Sequence, residues 1–448
     1  MKKTTDNRNF KTRPQKTSLK SPRMQAQKPE KTTTARSCPQ HARTDKSRTN
    51  QRPEFSIINS LFQQSPLDAD SKKVIDNFDE IIQGVRPLNS RQLQQLPENI
   101  RNLSHQLTDQ RADRRLGYMN DNIQLSAYIR YYTWWNLVRL TRLFSNMPAS
   151  AFPSADSVCL DLGSGPLTVV TALWLARPEL RKLNLTWYCL DVSANSLSLG
   201  EDVFLSVSSR FSENQNWKII RVKGNFGTSI RQKADFITCA NMFNELDQNM
   251  DMPPEFKTKK YYDQLKNYSA QSCRFILIEP GVPKASRTVS LLRERFIKDK
   301  FKILAPCPHA QDCPMNGFKA YTGSQNKWCN FAFSTENAPS KLQKLSERAK
   351  LPKERATLCF TAFSNFEKSD SASEGEKPEL LCRVTSDEFT LPPNAFGHYA
   401  CSPAGLVLLK TFKPEAFKSG DLVNVKTKTP ESPSSKTDRK SGALIIEL

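Results

Sequence analysis

The stretch Ser157-Val-Cys-Leu-Asp-Leu-Gly-Ser-Gly-Pro166 decides the fold of this 448-residue chain. Its first six residues form a short apolar run that is typical of a buried strand, and a glycine turn follows. The apolar run at 167–176 then predicts a helix. Glycines let the backbone turn tightly and approach a ligand, and the start of a helix presents free N–H groups. The stretch therefore predicts a nucleotide-type binding loop at the end of a strand.

The alternation of strands and helices continues beyond this loop. Further apolar runs predict strands at 185–190, 217–222, 235–239 and 274–278, with helical patterns between them. Strands that alternate with helices form parallel sheets with right-handed crossovers. The fold class predicted from this pattern is α/β, with a Rossmann-like parallel sheet.

Composition divides the chain into five predicted segments. They are a disordered basic tail (1–53), a helical region (54–150), the Rossmann-like domain (151–300), a β-rich region with a cysteine cluster (301–425) and a flexible tail (426–448). In the helical region, residues 125–144 have the spacing of a long, mostly buried helix. Arg130, Arg139 and Arg142 interrupt its aromatic residues, so a base-stacking surface remains the alternative. In the β-rich region, short β-like runs lie at 356–363, 379–384 and 405–412, and 366–378 has the composition of a loop.

The formal net charge is +21, and more than half of this surplus lies in residues 1–53, which hold 15 Lys and Arg against three acidic residues. A flexible cationic arm gains affinity for a polyanion such as RNA by releasing counterions, without choosing a sequence. A solvated, non-specific tail explains the same composition equally well.

We expect no targeting signal from the distribution of apolar residues along the sequence. No apolar run approaches the ~18 residues that cross a bilayer, and no apolar segment follows Met1-Lys-Lys3 as a secretory signal requires. The basic start also lacks the apolar face of a mitochondrial presequence. We expect no membrane partner and a bacterial cytoplasmic location, or the mitochondrial matrix in a eukaryote. Eleven cysteines in a reducing compartment indicate metal or redox chemistry rather than disulfides.

Two acidic residues accompany the glycine loop. Asp161 precedes Gly163-Ser164-Gly165-Pro166, and Asp191 closes the next predicted strand, where an acid can accept hydrogen bonds from ribose hydroxyls. A dinucleotide requires a third glycine where Thr168 stands. The Asp-x-Gly-x-Gly order instead resembles motif I of class I methyltransferases. That resemblance implies S-adenosylmethionine as the ligand, with Asp161 helping to orient its charged end.

Leu167 departs from the resemblance, because related loops often have glycine there. A side chain at this position is expected to crowd the methionine part of the ligand and to weaken binding.

Residues after the next two strands complete the predicted pocket. The amide of Asn225 can pair with the adenine edge and Phe226 can stack on the ring, although a plain turn is an equal alternative. Asn241-Met-Phe-Asn-Glu-Leu246 occupies the place of the substrate-side motif of methyltransferases. It is neither an Asn-Pro-Pro-Tyr motif nor a Pro-Cys nucleophile motif, so no catalytic residue is assigned.

Three thiols lie close together in the β-rich region. Cys307 and Cys313 each precede proline, and Cys329 follows Trp328. Thiolates beside prolines are typical of iron–sulfur sites, but the spacing leaves zinc and unligated thiols open. The candidates for a fourth ligand are Cys359, Cys382, Cys401, His309 and His398. The cysteines of the predicted sheet are expected to be small buried apolar residues, namely Cys159, Cys189, Cys239 and Cys273.

Several motifs occur together in one order. They are Leu160-Asp-Leu-Gly-Ser-Gly-Pro166, Asn241–Leu246, Ile278-Glu-Pro-Gly-Val-Pro-Lys284, Leu304-Ala-Pro-Cys-Pro-His309, Cys313-Pro and Trp328-Cys329. Between about 117 and 423 the chain resembles the methyltransferase-like family of the mitochondrial small ribosomal subunit and its bacterial relatives. The resemblance implies a class I methyltransferase fold, association with the small subunit or its rRNA during assembly, and a [4Fe–4S] cluster. It implies Cys307, Cys313 and Cys329 as cluster ligands. The fourth is Cys401, in Gly397-His-Tyr-Ala-Cys-Ser-Pro-Ala-Gly405, with Cys382 in reserve.

Three functions are compatible with these patterns. The first is an S-adenosylmethionine-dependent methyltransferase that acts on small-subunit rRNA, with no DNA partner expected. The second is a non-catalytic ribosome assembly or translation factor that contains an iron–sulfur cluster. The third is a methyltransferase of proteins or small molecules.

Overall fold

The computed structural model describes residues 53–63, 67–108, 118–246, 252–366, 380–426 and 436–448. The predicted disorder of residues 1–52 lies outside the described residues, as do Cys38 and most of the predicted loop at 366–378. Residues 427–435 of the predicted carboxyl-terminal tail also lie outside them.

The amino-terminal region begins with a strand and continues as helices. Its elements are β1 (Glu54–Ser60), α1 (Ala69–Asp76), α2 (Phe78–Val85), α3 (Ser90–Thr108), α4 (Asn122–Ala127), a π-helix (Tyr128–Thr133) and α5 (Trp134–Asn146). In α2, the buried Phe78, Ile81 and Ile82 show the spacing of one helix face. α4, the π-helix and α5 follow one another without a break, and most of their side chains are buried. The long buried helix predicted at 125–144 is thus confirmed.

The central sheet has eight strands. They are β2 (Val158–Leu162), β3 (Leu185–Asp191), β4 (Trp217–Lys223), β5 (Ala234–Ala240), β6 (Ser269–Glu279), β7 (Lys302–Ala305), β8 (Phe331–Ser334) and β9 (Arg355–Ser364). The helices between them are α6 (Thr168–Ala176), α7 (Pro178–Arg181), α8 (Ala194–Ser208), α9 (Pro254–Tyr268), α10 (Pro283–Lys298) and α11 (Ser340–Arg348).

The strand order of this sheet is β4-β3-β2-β5-β6-β9-β7, with β8 paired to β9. Strands β2 to β6 are parallel, and β9 runs antiparallel to both β6 and β7. This arrangement is that of the class I methyltransferase fold. The predicted fold class is therefore confirmed, and β9 adds an antiparallel strand to the predicted parallel sheet.

A second sheet forms the carboxyl-terminal part. Its further strands are β10 (Leu380–Val384), β11 (Phe389–Leu391), β12 (Ala395–Ser402), β13 (Gly405–Thr411), β14 (Asp421–Lys426) and β15 (Leu444–Glu447). The order is β1-β14-β10-β12-β13-β15, with β11 paired to β12. The β-rich carboxyl-terminal region is confirmed. It also takes in β1, from the segment predicted as helical, and β15, from the segment predicted as a tail.

The site lies where the central strands of the first sheet end. β2 is paired with β3 on one side and β5 on the other, so the loops after all three meet at one edge. The four sheet cysteines, Cys159, Cys189, Cys239 and Cys273, are buried as predicted. Among the described residues, no helix is long and apolar enough to span a membrane.

Candidate functional site

A cavity of about 370 Å³ opens at this edge of the sheet. It is lined by eight of the nine residues predicted to bind the cofactor, namely Gly163, Ser164, Gly165, Pro166, Asp191, Asn225, Phe226 and Asn241. The ninth, Asp161, does not line it. The structure thus brings together residues from four separate loops that the sequence placed at strand ends.

The glycine loop owes its shape to backbone angles that favour glycine. Gly163 and Gly165 have φ of 64° and 51°. The loop is also tied to β3, because the Ser164 N–H donates to the Leu190 carbonyl (3.0 Å). The Gly165 N–H donates to Asp191 Oδ2 (2.9 Å). These bonds hold the loop against the tip of the neighbouring strand.

Asp161 lies beneath the loop rather than in the cavity. Its carboxylate accepts hydrogen bonds from Ser164 Oγ (2.6 Å) and Thr238 Oγ1 (2.7 Å). Burial raises the pKa of Asp161 to about 7, and the two hydroxyl donors partly oppose this shift. Asp161 therefore ties the loop to β2 and β5, and Thr238 is a partner that the sequence analysis did not identify.

Asp191 stands at the wall of the cavity. One carboxylate oxygen accepts from the Gly165 N–H and the other from the Ser193 N–H (2.8 Å). A carboxylate has about four lone-pair sites, so both oxygens keep acceptor capacity for a ligand hydroxyl. Burial raises the pKa of Asp191, whereas the backbone donors lower it.

Leu167 does not crowd the cavity, contrary to the expectation from sequence. Its side chain is fully buried in the hydrophobic core and is absent from the cavity lining. A Cβ built on Gly200 of α8 would lie 2.8 Å from Leu167 Cδ1, which places this side chain against that helix. The left-handed backbone at Leu167, with φ of 54°, turns the side chain into the core. The structure therefore gives no reason to expect that Leu167 weakens binding of the cofactor.

The amino-terminal region supplies a wall that the sequence analysis missed. Tyr118, Met119 and Tyr128 line the cavity, and the rings of Tyr118 and Tyr128 meet edge to face. Ser196 Oγ lies 3.6 Å from Met119 Sδ, which joins this wall to α8. No local motif marks these residues, because their role depends on packing against a distant domain.

Asn225 and Phe226 follow β4 in a short turn. The Gly224 N–H donates to the Asp191 carbonyl (3.0 Å), and the Thr228 N–H donates to the Asn225 carbonyl (2.9 Å). The Phe226 ring makes edge contacts with Phe243 and Tyr261. This packing fixes the ring at the cavity rather than leaving it on a mobile turn.

The loop after β5 is held by a buried carboxylate that the sequence analysis did not single out. Asn241 has φ of 58°, and Arg139 Nη2 donates to its Oδ1 (3.0 Å). Glu279, at the end of β6, accepts from the backbone N–H groups of Phe243 (2.8 Å) and Asn244 (3.2 Å). Burial raises the pKa of Glu279 to about 8, and these N–H donors oppose the shift. Glu279 thus positions the Asn241 loop.

The predicted cluster cysteines lie near one another between β7 and the second sheet. Cys313 and Cys401 pack together in a small apolar cluster with Met315, and Cys329 packs against it. The thiols of Cys307 and Cys313 raise the pKa of Cys401, after burial as the largest cause. The four predicted ligands therefore lie close enough together to affect one another's pKa.

Two buried arginines flank the turn that carries Cys307. Arg293 of α10 donates from Nε to Cys307 Sγ (3.3 Å) and from Nη2 to the His309 carbonyl (2.8 Å). Arg383 of β10 donates from Nε to the Pro306 carbonyl (2.8 Å). Burial raises the pKa of the Cys307 thiol overall, and it outweighs the two guanidinium groups, which lower that pKa.

Strand register separates Cys401 from the reserve candidate Cys382. Cys401 pairs directly with Arg383, so both side chains point to the face that carries the Cys307 turn. Cys382 precedes Arg383, points to the opposite face and is buried in the core of the second sheet. His309 Nε2 lies 3.0 Å from Cys401 Sγ. Within the described part of the chain, no three or more Cys, His, Asp or Glu residues have an arrangement that could hold a metal ion.

Known proteins resemble this chain in two ways. Structures with a similar fold include the precorrin-6Y C5,15-methyltransferase of Geobacter metallireducens GS-15 (11% identity, 51% of this chain, 86% of that chain, TM-score 0.28). They also include the plantazolicin methyltransferase BpumL in complex with SAH (12% identity, 64% and 100%, TM-score 0.28). A third is the ribosomal protein L11 methylase of Lactobacillus delbrueckii subsp. bulgaricus (14% identity, 37% and 69%, TM-score 0.26).

Likenesses with such low TM-scores carry no argument about function. No curated protein matches the chain in sequence. Residues 139–384 match the family described as mitochondrial small ribosomal subunit Rsm22, and they include the glycine loop and three of the four predicted cluster cysteines. Because the match covers more than half of the chain, the protein belongs to the mitochondrial small ribosomal subunit Rsm22 family.

Proposed function

We propose that the cavity at the strand ends binds S-adenosylmethionine. The observation that carries this proposal is the convergence of the glycine loop, Asp191 and Asn225 on one cavity. We assign Asp191 as the acceptor of the ribose hydroxyls, and Asn225 and Phe226 as the residues that contact the adenine. When bound, S-adenosylmethionine supplies a methyl group activated by its sulfonium. Ser164, Pro166 and Asn241 complete the wall around it, and Asp161 holds the loop from below.

The proposed macromolecular partner is the small ribosomal subunit, through its rRNA. Family membership supports the subunit, and the charge of +21 supports RNA, because cationic residues gain affinity for phosphates by releasing counterions. We propose methyl transfer to small-subunit rRNA as the activity. The family description supports the mitochondrial matrix as the location in a eukaryote.

A genetic experiment tests the activity. The gene is deleted, and the modifications of small-subunit rRNA are mapped in the deletion strain and in strains complemented with the wild-type chain or with Asp191→Ala. The proposal predicts that one methyl mark disappears on deletion and returns only with the wild-type chain. An unchanged modification map contradicts it.

The second candidate is a non-catalytic assembly factor that keeps the cavity as a structural element. It is favoured by the Asn241–Leu246 loop, which carries none of the catalytic motifs considered above. In the same strains, this function predicts that Asp191→Ala restores assembly of the small subunit although it cannot bind the ligand. A protein or small-molecule methyltransferase, the third function, would show no salt-sensitive binding of RNA.

We also propose that Cys307, Cys313, Cys329 and Cys401 hold a [4Fe–4S] cluster, with zinc as the alternative. Supporting this are the proximity of the four thiols and the two buried arginines, which offset the negative charge of thiolate ligands. Their present arrangement does not itself form a metal site. The proposal therefore requires the four thiols to move closer together when a cluster is inserted.

A further inference from the structure

A second cavity of about 420 Å³ adjoins the proposed cofactor cavity. Four residues line both cavities, namely Tyr128, Asn136, Asn241 and Glu245. The remaining wall comes from the end of α3, from the helix that contains the π-helix, and from the segment 352–357 before and within β9. The shared wall places any occupant of the second cavity beside the cofactor cavity.

The wall between the two cavities is a stack of tyrosines. Tyr128 faces both cavities and Tyr132 lines only the second, and their rings are stacked with centroids 5.5 Å apart and planes 26° from parallel. Both tyrosines belong to the π-helix, a rare turn that is frequent at functional sites. Tyr132 is half-buried, so this stack presents an aromatic surface to the second cavity.

Charged groups of both signs line the same cavity, namely the cations Arg139, Lys353 and Arg355 and the carboxylates Glu245 and Glu354. Arg355 forms an ion pair with Asp387, and Lys353 Nζ lies 5.5 Å from the centre of the Trp135 ring. Arg139 donates to the side chain of Asn241, while its own buried Nε has no hydrogen-bond partner among the described residues. The cavity therefore combines a flat aromatic wall, amide groups, and one more cation than carboxylates among its lining side chains.

This combination matches the chemistry of an unstacked nucleotide. Proteins bind single-stranded RNA by stacking bases on aromatic rings and placing cations along the backbone. Enzymes that modify a base read its edge with polar side chains inside a pocket. Asn241, Asn244 and Lys353 all line this cavity, and Asn241 also lines the cofactor cavity. Three lining cations, Arg139, Lys353 and Arg355, outnumber the two lining carboxylates, which disfavours a basic side chain as the ligand.

We infer that the second cavity is a base-binding site, in which one base of single-stranded RNA stacks on Tyr132 while its flanking phosphate contacts Lys353 and Arg355. The inference rests on the proposed function, since it gives the RNA partner a place next to the cofactor cavity. The site serves a methyltransferase and a non-catalytic assembly factor alike.

The test uses the full chain and two fluorescein-labelled eight-nucleotide RNAs, one of mixed sequence and one of abasic residues. Affinities are measured by fluorescence anisotropy for the wild type, Tyr132→Ala, Tyr132→Phe and Lys353→Ala. Arg348→Ala is the matched control, because Arg348 is an exposed cation of α11 outside the cavity. Phosphate contacts by other basic segments are the same in both RNAs, so only base contacts differ between them.

Tyr132→Ala should weaken binding of the mixed RNA about five-fold or more and leave the abasic RNA unchanged, since stacking needs a base. Tyr132→Phe, which keeps the ring, should bind both RNAs like the wild type. Lys353→Ala should weaken binding of both RNAs, and Arg348→Ala should weaken neither by more than a small fraction of that loss. Equal affinities of Tyr132→Ala and the wild type for the mixed RNA would overturn the inference, as would equal losses on both RNAs.

Binding of S-adenosylhomocysteine by the same variants is measured in parallel. If the wild type binds this ligand but Tyr132→Ala shows no base-dependent loss, the inference fails and the proposed cofactor pocket stands. If the wild type does not bind it, the proposed function fails, and the comparison of the two RNAs still decides the base-binding site.

Discussion

At Gly200, α8 approaches the glycine loop so closely that no side chain fits. A Cβ there would lie 2.4 Å from the carbonyl carbon of Pro166 and 2.7 Å from its Cα. These are backbone atoms of the loop that lines the cavity, so the loop itself would have to move. The shape of the proposed cofactor pocket therefore requires glycine at position 200, because its side chain is a single hydrogen atom.

Gly200→Ala should therefore lower the free energy of unfolding by about 1–3 kcal/mol and weaken binding of S-adenosylhomocysteine. Denaturant unfolding and isothermal titration calorimetry measure the two effects. Gly84→Ala in α2 is the control, because nothing lies within 4 Å of a Cβ there and a helical alanine stabilises by about 0.5–1 kcal/mol. Unchanged ligand affinity in Gly200→Ala would contradict the role given to this contact.

The titration of Asp161, beneath the glycine loop, makes the free energy of unfolding depend on pH. Burial raises the pKa of its carboxyl from 3.8 to about 7, so the folded chain holds this proton more tightly than the unfolded chain. The resulting stabilisation, up to ~4 kcal/mol, is fully present below pH ~4 and is lost as the pH rises through ~7.

Asp161→Asn removes this ionisation. The free energy of unfolding of the variant, relative to the wild type, should therefore rise between pH 4 and pH 8. Urea unfolding at several pH values measures it, and Asp202→Asn, at an exposed position of α8, should leave the wild-type slope unchanged. Parallel curves for Asp161→Asn and the wild type would show that Asp161 does not titrate in this range.

Sequence predicted the position of Asp161 but not its role. A strand-end acid before a glycine loop is visible in the sequence, whereas the hydroxyl of Thr238 comes from a strand more than seventy residues away. Leu167 was misjudged for a similar reason. The pattern shows that a side chain replaces glycine, but only the backbone angle shows that it points into the core.

At the scale of elements, the helix from α4 to α5 was predicted by its apolar spacing. The spacing does not reveal the π-helix within it. A π-helix has one more residue per turn than an α-helix, which changes the face on which later side chains lie but leaves the composition the same. The consequence is a helix that is mostly buried, as predicted, yet presents Tyr128 and Tyr132 to two cavities. The burial of this helix confirms the core alternative, and base stacking on its tyrosines stays a proposal.

The pairing of β10 with β12 favours Cys401 over Cys382 as the proposed fourth ligand. Because Cys401 is opposite Arg383, it shares a face with the Cys307 turn, and Cys382 does not. After anaerobic purification, the wild type and Cys382→Ser should be brown and contain iron and sulfide, and Cys401→Ser should lose both. Unfolding temperatures of the two variants control for general damage. A colourless wild type with stoichiometric zinc would contradict the cluster, and iron loss in Cys382→Ser alone would contradict the ligand assignment.

At the scale of the whole molecule, the parallel part of the central sheet followed from the sequence because its strands and helices alternate along the chain. The rest depends on distant pairings. β9 enters between β6 and β7 in the reverse direction, and β1 pairs with β14 from the other end of the chain. Local sequence patterns do not identify such strand partners, because pairing depends on which strand edges remain exposed after the other elements have packed.

Calorimetric titration of the full chain with S-adenosylhomocysteine, the demethylated product of S-adenosylmethionine, tests whether the cavity binds this cofactor. We expect one binding site in the wild type and at least a tenfold loss of affinity in Asp191→Ala, because the proposed ribose acceptor and the anchor of Gly165 are both removed. Asp202→Ala, on the exposed side of α8, should bind like the wild type. Absence of binding by the folded wild type, or equal affinity in Asp191→Ala, would contradict the proposed cofactor site.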